Sequence, residues 1–168
     1  MKDRIKLHDK VFKPLIPGDE IEKSIDAVAA KMNADYKDTD TVPVLLCVLN
    51  GSILFTAELM KRLDFDVDLM SIKLSSYQGT SSTGAVHMDM GLTGDITGKE
   101  VIIVEDIVDT GRTIEALVKI LYARKASKVK VCTLLLKPEM YKKTIGLDYD
   151  GLGRNYKDIY ILDTETQL

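Results

Sequence analysis

Residues 101–104 (VIIV) are an unbroken run of β-branched apolar positions, and beyond them Ile114, Leu117, Val118 and Leu121 recur at helical spacing. The run is the pattern of a strand buried on both faces of a parallel sheet, and the spacing that of a helix with one apolar stripe, so the segment reads strand, loop, helix. The same signals alternate along the chain. Residues 19–36 put Ile21, Ile25, Val28, Ala29 and Met32 on one helical face, after Pro17-Gly18 and a start at Asp19. Residues 44–49 read as a buried strand, 52–63 as a helix and 67–74 as the next strand. Residues 75–84, SSYQGTSSTG, are small or polar apart from Tyr77, which predicts a mobile surface loop. Val86, Met88, Met90 and Leu92 then alternate with polar or small residues, predicting a strand buried on one face and paired with its predecessor as a long hairpin. After turns at Gly94 and Gly98 comes the strand at 101–104, then a buried strand at 129–136 and a short final one at 159–162. The order predicts an α/β fold, a mainly parallel central sheet flanked by helices, in a single domain over residues 1–168. No repeats, linkers or low-complexity tracts interrupt it.

Composition narrows the class. Of 168 residues 45% are apolar and 29% charged, ordinary globular usage with no sign of disorder. A net charge of -3 and a pI near 5.4 provide no general basic field, so nucleic acid is not the expected partner. Cys47 and Cys132 lie in apolar runs and read as small buried hydrophobes of a reducing compartment. The amino terminus MKDRIKLHDK has no apolar signal core and no run is long enough to span a bilayer, so a cytoplasmic protein without a membrane partner is expected.

The chemistry concentrates in residues 101–114, VIIVEDIVDTGRTI. A loop at the carboxyl end of an interior strand is where open α/β sheets bind ligands. Amides at a helix start lack internal partners and carry partial positive charge, so Thr110, Gly111, Arg112 and Thr113 can wrap a phosphate, with two hydroxyls adding hydrogen bonds. Gly111 removes a side chain that would block close approach. Glu105 and Asp106 can accept hydrogen bonds from vicinal hydroxyls, and carboxylates also hold Mg²⁺. Asp109 is left between phosphate and sugar. An isolated Asp in such a place most often caps the following helix, and Asp106 or Asp109 can be read that way. Three acids with a Thr-Gly-Arg-Thr turn at one strand end point instead to a sugar phosphate. Leu49-Asn50-Gly51 also joins a buried strand to a helix, where amides could meet a second phosphate, although such a turn is more often only a turn.

The segment resembles the 5-phosphoribosyl-1-diphosphate (PRPP) signature of the type I phosphoribosyltransferases. With the SSYQGTSSTG segment, Lys137 after CTLLLK, and GLDYDGLGRNY at 146–156, the chain from about Ile5 to Leu162 is similar to the hypoxanthine-type, 6-oxopurine members. The resemblance implies their fold, with a flexible lid hairpin and a hood, and transfer of the phosphoribosyl group from PRPP to N9 of hypoxanthine or guanine. It assigns the ribose hydroxyls to Glu105 and Asp106 and the 5′-phosphate to residues 110–113. Pyrophosphate goes to Leu49, Asn50 and Gly51, often through a non-proline cis peptide, and to Arg154. Many relatives carry Lys where this chain has Asn50. Ser76 and Tyr77 match the lid pair, Lys137 the donor to the purine O6, and Asp109 the general base that takes the N7 proton. Asp148, with Glu105 and Asp106, would hold Mg²⁺, partly through water or ligand oxygens. His8 and His87 match no catalytic position. A homodimer or homotetramer is expected.

Other readings are a non-catalytic PRPP-sensing regulator, against which the acidic pI counts, and a transferase for xanthine or a pyrimidine. Lys137 and GLDYD favour a purine without ranking the oxopurines. One departure stands out. Only ten residues, PEMYKKTIGL, separate Lys137 from Asp148, where the family has a longer connection with an extra strand and a base-stacking aromatic. The hood is therefore expected to be shortened or incomplete. A genuine deletion would leave Tyr141 as the candidate stacking aromatic. The intact flanking motifs favour instead a native segment missing between residues 143 and 146.

Overall fold

The structure, a computed structural model, describes residues 4–76, 86–92, 94–108, 111–136 and 159–162. Its elements are β1 (Ile5–Leu7), β2 (Lys10–Ile16), α1 (Gly18–Tyr36), β3 (Val44–Leu49), α2 (Ile53–Met60) and β4 (Asp68–Ser76), then β5 (Val86–Met90), β6 (Glu100–Val108), α3 (Arg112–Ala123), β7 (Lys128–Leu136) and β8 (Ile159–Leu162). Strands β4, β3, β6 and β7 lie side by side in that order, all parallel, and β5 adds to β4 antiparallel.

Apolar residues on successive positions of the central strands serve two cores, one on each face. Val44, Leu46 and Val48 of β3 and Val101 and Ile103 of β6 pack with Leu117 and Leu121 of α3. Leu45, Ile102 and Val104 pack on the other face with Ile25, Ala29 and Met32 of α1 and Phe55 and Leu59 of α2. Burying each such side chain contributes about 1.5–3 kcal/mol, which is why these strands are read from continuous apolar runs. Far from the carboxyl ends, Lys130 lies 2.8 Å from Glu100 and donates to the Tyr36 hydroxyl at 3.0 Å, fastening the end of α1 to the sheet.

The parallel sheet, its flanking helices and the hairpin are as expected, with Ser75 opposite His87 and Ser76 opposite Val86. Three elements differ. β6 continues through Val108, so Glu105 and Asp106 lie within the strand rather than on a loop after it, because β7 pairs alongside as far as Val108 and Leu136. The apolar run marked only the buried part of that strand. α2 ends at Met60, short of the expected 63. β1 and β2 were not anticipated; they form a second, antiparallel sheet with β8 in the order β1-β2-β8. Pro14 argues against a strand from sequence alone, and β2 accommodates it with a register shift between Pro14 and Ile16. Both cysteines are buried free thiols, as expected, separated in the sheet by β6. Burial pushes the Cys132 thiol up to about 11.

Candidate active site

The chain leaves β3 through α2 to β4 on one side, and leaves β6 through α3 to β7 on the other. The crossovers therefore diverge between β3 and β6, at the topological switch point where an open α/β sheet leaves a crevice for ligand. The last paired residues there are Cys47 and Val104, so the Leu49-Asn50-Gly51 turn and the Glu105-Asp106 pair emerge side by side.

Their contact is close. The Leu49–Asn50 peptide is cis, as the resemblance led one to expect. A Cβ added at Gly51 would sit 2.6 Å from Asp106 Cγ and overlap the carboxylate oxygens, so any larger residue would have to displace the Asp106 carboxylate from its present place. The Asp106 carboxylate is oriented in turn by the Ile107 N–H, which donates to Oδ1 at 2.9 Å. Burial, then the hydrogen bond with Asp106 and its nearby charge, push the Glu105 carboxyl up to about 8.

Gly111 stands at the cap of α3 with φ +75°, in the left-handed region, and no side-chain cap forms there. Among the described residues no atom lies within 4 Å of a Cβ built at Gly111, and there the left-handed backbone conformation is the visible reason for glycine. Arg112 and Thr113 form the first turn of α3, exposed at the same edge of the sheet. Asp106 accepts from its own neighbour's amide and does not cap α3, which removes the capping reading for that residue. Ser76 ends β4. Asp109, Thr110, Tyr77, Lys137, Tyr141, Asp148, Arg154 and the short connection after Lys137 lie outside the described residues.

Among the described residues no three His, Cys, Asp or Glu side chains converge into a metal site. Glu105 and Asp106 are nevertheless the hard oxygen donors that suit Mg²⁺, and a cation would offset the burial and the neighbouring Asp106 that oppose ionisation of Glu105. One residue of the site escaped the sequence reading. Ser52 looks like a helix cap by position but is fully buried, with its hydroxyl bonded back into β3. A serine following an Asn-Gly turn gives no signal of that.

Comparison with known proteins agrees with this geometry. The family described as "Phosphoribosyl transferase domain" matches residues 17–164. The chain is 36% identical to a hypoxanthine-guanine phosphoribosyltransferase of Streptococcus pneumoniae, covering 92% of this chain and 91% of that protein. It is 38% identical to a hypoxanthine-guanine-xanthine phosphoribosyltransferase of Tritrichomonas foetus, covering 92% of this chain and 82% of the relative. Its fold is similar to that of a variant hypoxanthine phosphoribosyltransferase of Trypanosoma cruzi complexed with the product IMP. The TM-score is 0.80 at 28% identity, over 96% of this chain and 95% of that one.

Proposed function

Since the chain belongs to the phosphoribosyl transferase family, we propose that it salvages purines, transferring the 5-phosphoribosyl group of PRPP to N9 of hypoxanthine or guanine with release of pyrophosphate. The observation that carries this reading is the contact of the Gly51 turn with Asp106 at the sheet's switch point. A phosphate-receptive turn and a hydroxyl-receptive carboxylate are side by side there, as the two ends of a pyrophosphorylated sugar require. The substrates of the relatives, all named for oxopurines, support it further.

In this reading Glu105 and Asp106 hold the ribose hydroxyls, and residues 110–113 wrap the 5′-phosphate at the start of α3. Leu49, Asn50, Gly51 and Arg154 receive the pyrophosphate; the guanidinium suits phosphate oxygens, while Asn50 contributes no charge. As the bond from C1′ to pyrophosphate breaks, C1′ gains oxocarbenium character and N9 bonds to it, while Asp109 takes the N7 proton. Lys137 donates to O6, and because an ammonium is only a donor it disfavours an exocyclic amine at that position. Ser76 and Tyr77 belong to the lid that excludes water. Mg²⁺, held through Glu105, Asp106, Asp148 and ligand oxygens, would neutralise charge on the leaving pyrophosphate. A cytoplasmic homodimer or homotetramer completes the proposal. Exposed Ile53 and Leu54 at the start of α2 offer apolar surface for self-association, and no helix among the described residues is long and apolar enough to cross a membrane.

Titration calorimetry with PRPP and Mg²⁺ tests the assignment. Glu105→Ala and Asp106→Ala are each expected to weaken binding by roughly tenfold or more, because a half-buried charged partner of a ribose hydroxyl is lost. Unchanged affinity in both would remove the pair from the site.

A further inference from the structure

Ser52 stands where the chain leaves the Leu49–Gly51 turn and enters α2, the position from which a serine normally accepts a hydrogen bond from an early helix amide. It makes no such bond. Its hydroxyl donates instead to the Val48 carbonyl at 2.8 Å, which leaves the Cys47 thiol, 3.3 Å away, to donate to Ser52 Oγ. The Ser52 N–H also reaches the Val48 carbonyl, at 3.2 Å, and the Ser52 carbonyl accepts from Thr56 N–H at 2.7 Å. The side chain is fully buried. The turn is thus closed onto one carbonyl of β3 by two hydrogen bonds, one of them from a side chain, and on its other side Gly51 abuts the Asp106 carboxylate.

We infer that Ser52 is a positioning residue for the pyrophosphate: its hydroxyl, bonded to the Val48 carbonyl rather than capping α2, holds the Leu49–Gly51 turn in one geometry. The inference rests on the proposed assignment of pyrophosphate to this turn. The physical reason is preorganisation. A turn that must be ordered by its ligand spends part of the binding energy on ordering, and a hydroxyl tied back into a buried strand removes that cost beforehand. The tie can be relied upon because both partners are shielded from water, where an unmade bond is expensive.

The test compares Ser52→Ala, Gly51→Ala and Thr56→Val in the full chain. Thr56 is also buried, one turn along α2, and its hydroxyl has no partner among the described residues, so the isosteric valine controls for a change of buried packing. Affinity for magnesium pyrophosphate is measured by calorimetry, together with KM for PRPP, KM for hypoxanthine and kcat. Ser52→Ala is expected to weaken pyrophosphate binding and raise KM for PRPP by about three- to tenfold, the worth of one hydrogen bond, with kcat and KM for hypoxanthine unchanged. Gly51→Ala should weaken pyrophosphate more, and Thr56→Val not at all. Wild-type affinity in Ser52→Ala with a loss in Gly51→Ala would overturn the inference while leaving pyrophosphate at the turn. Wild-type affinity in both would remove pyrophosphate from the turn, and the inference with it. Equal losses in Ser52→Ala and Thr56→Val would reduce the effect to packing and also overturn it. Should Ser52→Ala not fold, Ser52→Cys, a weaker donor in the same place, is read by the same outcomes.

Discussion

Asp109→Asn is expected to lower kcat by roughly 10²–10⁴ while leaving the affinity for PRPP near its wild-type value. The substitution keeps size and polarity but cannot accept the N7 proton, and the loss is that of a general base acting only in the transition state. Stopped-flow or steady-state turnover with hypoxanthine, set beside calorimetry with PRPP, separates the alternatives. Weakened PRPP binding with unchanged kcat would make Asp109 a binding residue instead. The distinction matters because Asp109 stands four residues from Glu105, in a segment where carboxylates of different roles follow one another.

Glu105→Gln is expected to stabilise the unliganded protein at alkaline pH while weakening PRPP binding. The Glu105 carboxyl is raised to about 8 in the fold, from an ordinary value of 4.5 when the chain is unfolded, by burial first and by Asp106 second. Below pH 4.5 the group is protonated in both states and costs nothing. As pH rises towards 8 the unfolded chain releases this proton and the folded chain keeps it, so the folded state binds more protons and stability falls across that window. Glutamine has no proton to release. After discounting for partial exposure, its advantage should be near zero at pH 4.5 and reach roughly 2–3 kcal/mol above pH 8. For a chain of this length that corresponds to about 4–12 °C in Tm. Thermal melts of both proteins at the two ends of the window measure it, and an advantage that is equal at both ends would refute the burial of an uncompensated carboxyl. The same burial would account for a functional site being less stable than its surroundings allow.

The sheet and its helices were legible because each central strand carries apolar residues on both faces and each helix one stripe, patterns that local sequence displays in full. The strand at residues 44–49 was read to the residue. Contacts between distant segments were not legible. Both Gly51 and Asp106 were assigned to the site, but their mutual packing arises from β3 lying parallel to β6, a register that neither motif contains. The upward shift of the Glu105 carboxyl is likewise a product of tertiary burial. Ser52 was hidden by its ordinary role: sequence rules place a cap at a helix start, and the hydroxyl follows the nearer buried carbonyl. β1 and β2 were hidden by Pro14, whose cost the bulge in β2 accommodates.

The most direct test of the central claim is release of pyrophosphate from PRPP and Mg²⁺ with five bases in parallel: hypoxanthine, guanine, xanthine, adenine and uracil. Turnover with hypoxanthine and guanine, and little with adenine or uracil, is the result the site predicts. Its origin would be the donor-only ammonium of Lys137 facing O6. Release with uracil alone would contradict the purine assignment, and no release with any base, from a protein that still binds PRPP, would contradict catalysis itself and leave a sensor of PRPP in its place.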